Sequence, residues 1–153
     1  MNIPTLPEGY LISTDPARLD LDVIHGFLIQ SYWAKGISRS LVEKMIRHSF
    51  GFGIYQGDRQ VGFARVITDY TTFAYLADVF VLPDHRGKGL SKALIATIRA
   101  HPDLQQLRRW MLVTLDAHAL YEKEGFRTLT HPERHMEIVD HGIYERMRAS
   151  SEA

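Results

Sequence analysis

Hydrophobic and polar positions change period several times along the chain, which predicts amphipathic helices interleaved with strands. Apolar residues recur at helical spacing over Asp20–Gln30 and in a second segment that ends at Ser49, with Ser38 or Ser40 as its N-cap. Short apolar runs bounded by turn residues predict strands at Tyr10–Ser13, Phe50–Tyr55, Gln60–Thr68, Phe73–Leu82 and Trp110–Leu115. The second and third of these flank Gln56-Gly57-Asp58-Arg59, which is typical of a hairpin turn.

The second half of the chain continues with helices and short strands. A helix follows the glycine-containing loop at 87–89 and ends near Ala100. A shorter helix is expected from Asp116, its N-cap, through Glu124, with Gly125 as its C-cap. The remaining elements are predicted strands at Phe126–Leu129 and Met136–Val139 and a frayed C-terminal helix beyond Asp140. This order predicts an α/β or α+β fold in which helices cover a mixed sheet.

Composition narrows the class of protein. The chain has 153 residues, which fits a single domain over residues 1–153 with a sizeable core. Lys plus Arg and Asp plus Glu number 18 each, and this balance argues against nucleic acid or an anionic membrane as the main partner. The absence of cysteine excludes disulfides, cysteine-based zinc sites and a thiol nucleophile. No secretory signal and no membrane-spanning apolar stretch is visible, so a cytoplasmic protein is expected.

The most informative stretch joins an apolar strand to a helix through a short basic loop. The loop contains Arg86, Gly87, Lys88, Gly89, Leu90, Ser91 and Lys92. The first N–H groups of a helix have no partner inside it and carry partial positive charge, so they attract an anion. The glycines let the backbone approach the anion, and Arg86 can bind phosphate in a bidentate way. The loop therefore predicts a phosphate site, but it matches neither the nucleotide P-loop nor the dinucleotide fingerprint.

Two motifs carry a resemblance to a known family. The pattern Arg86-Gly87-Lys88-Gly89-Leu90-Ser91 resembles the Arg-x-x-Gly-x-small pyrophosphate loop of the GNAT superfamily, the acetyl-CoA-dependent N-acetyltransferases. Ala119-Leu120-Tyr121-Glu122-Lys123-Glu124-Gly125-Phe126 is similar to that family's A-x-Y-x-x-x-G-F signature. The predicted order of elements agrees, so the resemblance covers nearly the whole chain. It implies a mixed, mostly antiparallel central sheet with helices on both faces.

The resemblance also implies roles in acetyl transfer. Backbone groups of Val79 and Val81 would lie along the pantetheine arm like an added strand, and one N–H would face the thioester oxygen. The amides of the loop from Arg86 to Lys92 would hold the pyrophosphate of acetyl-CoA. Tyr121 would protonate the leaving thiolate, since a phenol with a pKa near ~10 keeps its proton at neutral pH. Without cysteine, direct attack by the amine is expected.

The general base stays open among several groups. Asp78 is a carboxylate inside an apolar strand, where burial raises a pKa, and its alternative role is a structural hydrogen-bond acceptor. His118 lies one helical turn before Tyr121 and titrates near neutrality. Tyr75 is predicted on the same strand face as Val79 by the period of two. A chain of water molecules is a further candidate.

The acceptor amine would enter from the side opposite the acetyl donor. The region expected there is supplied by Ser31, Tyr32, Trp33, Asp69, Tyr70, Phe73 and Tyr75, with Tyr32, Trp33, Phe73 and Tyr75 as substrate contacts. Aromatic rings bind apolar or cationic groups, and few carboxylates accompany them. We therefore predict a small acceptor with one primary amine and an apolar or aromatic body. The alternative is that these rings fill the core beside the second helix.

Other functions compete with the small-molecule enzyme. A sensor on the same fold would bind acetyl-CoA without catalysis, and a peptide or protein amine could be the acceptor instead. The family's domains often pair, so a homodimer is expected by analogy alone. His131 and His135 are separated by Pro132 and have no supporting carboxylate pattern, so no metal site is expected.

Overall fold

The computed structural model describes residues 3–152 and places five strands in one mixed sheet. The strands are β1 (Tyr10–Ser13), β2 (Phe50–Gln56), β3 (Arg59–Thr68), β4 (Phe73–Val81) and β5 (Arg109–Met111). They lie side by side in chain order, with antiparallel pairs from β1 to β4 and a parallel pair between β4 and β5. The mostly antiparallel mixed sheet that was predicted is therefore confirmed.

Helices cover the sheet on both faces. They are α1 (Leu21–Leu28), α2 (Arg39–Arg47), α3 (Leu90–Ala100), α4 (His118–Glu122) and α5 (Ile143–Glu152). Asp20 caps α1, because its carboxylate accepts the N–H groups of Asp22 (3.0 Å) and Val23 (3.3 Å). Ser38 caps α2 by accepting the N–H of Leu41 (3.3 Å), which decides between the two predicted caps.

Two hydrophobic cores lie on opposite faces of the sheet. The α3-side core combines helix residues with strand residues, including Phe52, Ile54, Leu76, Val81, Leu90, Leu94, Ile95 and Ile98. The α1–α2-side core combines Ile24, Leu28, Val42, Phe63 and Phe80. Burial of these side chains stabilises each helix against the sheet and is worth roughly 1.5–3 kcal/mol for each large aliphatic or aromatic residue.

A β-bulge divides β4 into two halves. Phe80 pairs with Phe63, and Ala77 pairs with Arg65, so two residues of β4 oppose a single residue of β3. The first of the two, Asp78, has a left-handed backbone (φ +55°), a conformation that costs roughly 1–2 kcal/mol for residues with a Cβ and less for aspartate.

The bulge reverses which face each side chain of β4 meets. Leu76 packs in the α3-side core, whereas Phe80, four positions later, packs in the α1–α2-side core. Val79 packs against the α3-side core. The prediction that Tyr75 shares a face with Val79 is therefore wrong, because the extra residue breaks the period of two between them.

The end of the chain differs most from the prediction. β5 covers only Arg109–Met111, and the predicted strands Phe126–Leu129 and Met136–Val139 have no regular strand structure. Among residues 3–152, β5 pairs with β4 alone, so neither segment adds a strand to the outer edge of β5. Asp116 does not cap α4; the Thr114 hydroxyl instead accepts the N–H of Ala117 (3.0 Å).

The C-terminal helix is formed as predicted and packs against the loop between α1 and α2. Gly36 in that loop is left-handed (φ +84°), and a Cβ built on it would lie 3.1 Å from the Cγ of Glu145 in α5. None of the helices within residues 3–152 has the length and apolar character needed to cross a membrane.

Candidate active site

The cleft of the candidate site opens where β4 and β5 separate. The two strands pair only through Phe73–Tyr75 and Arg109–Met111, and within the described chain no strand continues on the β5 side of Leu76–Val81, whose other side is paired with β3. The N–H of Leu82 donates to the carbonyl of Val61 on β3 (2.8 Å). Because successive residues of a strand direct their backbone groups to opposite sides, those of Val79 and Val81 point toward the cleft. An extended ligand could pair with this edge.

The glycine loop lies at the end of that edge. Gly87 and Gly89 both have left-handed backbones (φ +78° and +77°), which glycine adopts readily. A Cβ built on either glycine would meet nothing within 4 Å, so the space in front of the loop is open. Gly89 is the N-cap of α3 and provides no side-chain cap, so the first N–H groups of the helix remain available to a ligand.

Three exposed cations surround the loop, at Arg86, Lys88 and Lys92. The Nε of Arg86 donates to the carbonyl of Val81 (2.9 Å), which ties the loop to the cleft edge of β4. Its terminal nitrogens are the donors that a phosphate would use. The loop therefore combines backbone N–H groups, open space and positive charge, which are the elements of an anion site.

Tyr121 is fixed by the turn that ends α4. Its carbonyl accepts the N–H of Phe126 (3.3 Å), and Gly125, with φ +93°, donates to the carbonyl of Glu122 (3.1 Å). This is a Schellman arrangement, and it brings the Phe126 ring edge-on to the Tyr121 ring at 6.0 Å. The glycine and phenylalanine of the A-x-Y-x-x-x-G-F pattern thus hold the tyrosine in place.

The phenol of Tyr121 is in an apolar setting. The residue is 8% exposed and belongs to the α3-side core. Burial raises the pKa of the Tyr121 phenol to about 12, and the nearby phenol of Tyr32 adds to the increase. A cavity of about 420 Å³ beside it is also lined by His118 and Glu122. His118 is exposed at this cavity.

Asp78 is paired through both of its oxygens. One accepts a hydrogen bond from the Nε of Arg65 on β3, and the other accepts the Nε1–H of Trp33 (2.7 Å). Arg65 also donates to the hydroxyl of Ser49 (3.1 Å). The Asp78 side chain is only 6% exposed, so this carboxylate lies in a buried ion pair at the bulge.

Two aromatic residues of the loop between α1 and α2 lie over this ion pair. Tyr32 is 64% exposed and Trp33 is 40% exposed, and their rings meet edge-on at 5.0 Å. Trp33 also approaches Phe27 (6.1 Å), which stacks on Phe80 (4.1 Å). The alternative that these rings fill the core is wrong for Tyr32 and Trp33, because both are exposed, whereas Phe73 and Tyr75 are half-buried.

The first half of β4 directs Phe73 and Tyr75 to the face of the sheet opposite that of Leu76, which is the α1–α2 side. Tyr75 stands directly opposite the exposed Ile67 of β3, and Phe73 lies two residues before it on the same face. Burial raises the pKa of the Tyr75 phenol, with the Asp78 carboxylate adding, the Arg65 guanidinium opposing, and Glu137 contributing a smaller increase. Tyr75 therefore lies within electrostatic reach of the ion pair.

Three other residues expected around the acceptor have structural roles. Ser31 is buried, and its hydroxyl donates to the Leu28 carbonyl (2.7 Å). The Thr72 hydroxyl (2.6 Å) and, to a smaller extent, N–H groups of the same loop donate to the Asp69 carboxylate, which holds the pKa of Asp69 well below its usual range. Tyr70 packs on Phe50, on the α3 side of the sheet.

Sequence reasoning missed Arg65, Ile67 and Glu137. A charged residue within the apolar run of β3 is the signal that could have identified Arg65, since a buried cation needs a buried anion. Ile67 and Glu137 leave no comparable signal. In the part of the chain that the structure describes, no group of three His, Cys, Asp or Glu side chains converges as a metal site.

Known proteins share both the sequence and this fold. The model of an acetyltransferase (GNAT) domain matches residues 47–128. A curated acetyltransferase relative from Gibberella zeae is 34% identical and covers 74% of this chain and 76% of its own length. A crystal structure from Xanthomonas campestris, described as a GNAT-family acetyltransferase, is 52% identical with a TM-score of 0.88, covering 92% of this chain and 99% of that one.

A more distant structure has the same fold and is described as containing acetyl-CoA. It comes from Clostridium acetobutylicum, is described as an acetyltransferase with acetyl-CoA, and is 12% identical with a TM-score of 0.62. It covers 85% of this chain and 94% of its own. From the family match and the close relatives, the chain belongs to the GNAT family of acetyltransferases and is an acyltransferase enzyme.

Proposed function

We propose that this protein is an N-acetyltransferase that moves an acetyl group from acetyl-CoA to the primary amine of a small molecule. The observation that carries the proposal is the cleft, in which the unpaired edge of β4 leads directly into an open, basic glycine loop. The pantetheine arm pairs with the backbone of Val79 and Val81, as an added strand would. The N–H groups from Gly87 to Lys92 and the nearby cations bind the pyrophosphate.

The acetyl group passes in one covalent step. The neutral amine attacks the thioester carbonyl, and a C–N bond forms while the carbonyl oxygen gains negative charge. The N–H of Val79 stabilises that charge, because a fixed donor in a cleft needs no reorganisation. The C–S bond then breaks, and the thiolate takes a proton from Tyr121. The amine releases its proton to water, and water returns a proton to the Tyr121 phenolate.

Tyr121 fits the role of the general acid. With a pKa of about 12, the phenol is protonated in essentially every molecule at neutral pH. The burial that raises the pKa of the phenol also raises the pKa of a departing thiol in the same cleft, which brings the donor and acceptor closer in acidity. A sensor that only binds acetyl-CoA has no need of this proton.

The acceptor side favours a primary amine with an apolar or aromatic body. Tyr32, Trp33, Phe73 and Tyr75 present rings around the entrance, and Ile67 adds an apolar surface. Aromatic faces attract both apolar groups and the ammonium that precedes deprotonation. Asp78 is already paired with Arg65, which leaves Glu137 as the carboxylate near Tyr75 that could attract a polycation.

The test is thiol release from acetyl-CoA with three classes of acceptor: an arylalkylamine, a polyamine and a lysine-containing peptide. We expect the arylalkylamine to have the highest kcat/KM, and Trp33→Ala to reduce that advantage. A preference for the peptide would assign a protein acceptor. Calorimetric binding of acetyl-CoA without turnover on any amine would show the sensor instead.

Three further expectations accompany the proposal and stay predictions. Residues 1–153 act as a single domain, the chain forms a homodimer, and the enzyme works in the cytoplasm. Sedimentation of the pure protein tests the dimer, and the expected mass is twice that of the 17.6 kDa chain.

A further inference from the structure

The residue at the bulge is Asp78, although its backbone conformation would be adopted more easily by glycine, which has no side chain. A left-handed position in a strand is most easily occupied by glycine, yet the chain has an aspartate there with φ +55°. Burying a carboxylate is unfavourable unless it is paired and hydrogen-bonded. Asp78 meets this requirement with donors from two separate elements, Arg65 of β3 and Trp33 of the α1–α2 loop.

We propose that Asp78 is a positioning residue, which fixes the acceptor side of the cleft to the donor side through the Trp33–Asp78–Arg65 clamp. This rests on the proposed acetyl transfer and names how its two substrates are aligned. One carboxylate oxygen holds the aromatic loop that meets the amine. The other holds the bulge that turns the next residue, Val79, toward the thioester.

On the acceptor side, the clamp gives Trp33 its single polar anchor among the contacts that the structure describes. The indole is 40% exposed, and its remaining contacts are with the rings of Tyr32 and Phe27. Ring contacts allow sliding and rotation, whereas a hydrogen bond to a carboxylate at 2.7 Å fixes both distance and direction. The Tyr32 ring meets the Trp33 ring edge-on at 5.0 Å. The Tyr32 phenol also lies close enough to Tyr121 to raise the pKa of the Tyr121 phenol.

On the donor side, the clamp stabilises the bend of β4. Arg65 pairs with Ala77, the last residue before the bulge, and its side chain reaches across to Asp78. A second bond to Ser49 holds the guanidinium in place. The ion pair therefore connects the two strands at the point where their backbone ladder is interrupted.

The clamp also argues that Asp78 is not the base. Taking a proton from the amine would neutralise the carboxylate and leave the buried guanidinium of Arg65 without its partner, which is strongly unfavourable. A base can instead be reached through water, with His118 exposed beside the cavity next to Tyr121.

The first experiment separates the side chain from the backbone. Asp78→Gly keeps the left-handed conformation and removes the carboxylate, and Trp33→Phe keeps an aromatic ring and removes the indole N–H. A hydrogen bond to a charged group supports about a ten- to hundredfold change, so we expect kcat/KM for the acceptor to fall by that factor, mainly through KM. The Kd of acetyl-CoA from calorimetry should change by less than about threefold in Trp33→Phe. Unchanged acceptor KM in both folded variants would overturn the proposal.

The second experiment distinguishes positioning from proton transfer. Asp78→Asn should raise the acceptor KM while the acidic limb of the kcat–pH profile stays where it is in the wild type. Loss of that limb with an unchanged KM would identify Asp78 as the base and reject the clamp. Asp22→Asn is the matched control, because it removes a carboxylate from the exposed pair with Arg39 and should leave every value unaltered.

The third measurement does not depend on activity. In the ¹⁵N spectrum of the wild type, the indole N–H of Trp33 should exchange slowly with solvent, and in Asp78→Gly it should exchange quickly. Rapid exchange in the wild type would reject the clamp. Slow exchange in a protein that acetylates no amine would retain the clamp and reject the proposed function.

Discussion

The proposed donor and acceptor sides of the cleft are built from different parts of the chain. The donor side is made of backbone: the open edge of β4, two left-handed glycines and the first turn of α3. The acceptor side is made of side chains from distant segments, with Trp33 from one loop, Arg65 from β3 and Tyr75 from β4. The first is a continuous stretch of sequence, and the second exists only after the sheet has formed.

This difference indicates which of the two sites can change its ligand when single residues are replaced. A backbone site depends on glycine at fixed positions and accepts one ligand geometry. A side-chain site changes its ligand when a ring or charge is replaced, while the strands beneath stay the same. The predictions below test the two sides separately, so each can fail on its own.

The largest effect is expected at the acid between the two sides. Tyr121→Phe removes only the hydroxyl and keeps the edge-on contact with Phe126. General acid catalysis supplies ~10²–10⁴-fold, so kcat should fall by that factor while the Kd of acetyl-CoA changes little. Single-turnover kinetics measure the chemical step directly. A Phe variant that is as fast as the wild type would show that Tyr121 serves packing alone.

The pH profile sharpens the same prediction. The pKa of the Tyr121 phenol is raised to about 12, above its ordinary value near ~10, so the proton-donating form persists as pH rises through 10. The phenol should therefore cause no decrease in kcat between about pH 8 and 11. A decrease centred near pH 10 that disappears in Tyr121→Phe would mean that the hydroxyl is exposed to solvent during turnover.

The next effect is on the donor side. Gly89→Ala places a methyl group in open space at φ +77°, where we expect the pyrophosphate. Acetyl-CoA affinity should weaken more than about tenfold, through lost contacts with the loop. Gly57→Ala is the control, because that glycine is also left-handed (φ +58°) with nothing within 4 Å, but it lies in the β2–β3 turn. Equal losses in both variants, measured by calorimetry, would attribute the effect to backbone strain.

The smallest effect is on the support of the acceptor loop. Gly36→Ala combines a left-handed backbone with a Cβ that would lie 3.3 Å from the Cα of Glu145. The free energy of unfolding should fall by roughly 1–3 kcal/mol, and the acceptor KM should rise more than the Kd of acetyl-CoA. Gly9→Ala has similar strain (φ +87°) without the contact, so its loss in a denaturant titration should be smaller. An equal loss of unfolding free energy in the two variants would show that the contact with α5 does not support the loop.

The same contrast between a continuous stretch and residues brought together by the sheet explains which features could be predicted from the sequence. The loop from Arg86 to Lys92 and the Tyr121 turn follow from local residue types, so the family and the fold were predictable. The bulge was not, because it depends on the register between β3 and β4 rather than on either strand alone. Met136–Val139 alternates like a strand, yet strand structure requires a partner, and the pattern does not say whether one is present.

Because of the bulge, β4 can be redesigned as two independent halves. Under the proposed function, replacing Phe73 or Tyr75 would alter the surface that meets the amine. Val79 and Val81 point their side chains into the opposite core and would contribute only backbone to the donor. An engineer could therefore change acceptor preference at the first two positions and keep the acetyl-CoA edge intact. Deleting one residue at 78–79 would abolish this independence, since it would move Phe80 and Val81 to each other's face of the sheet.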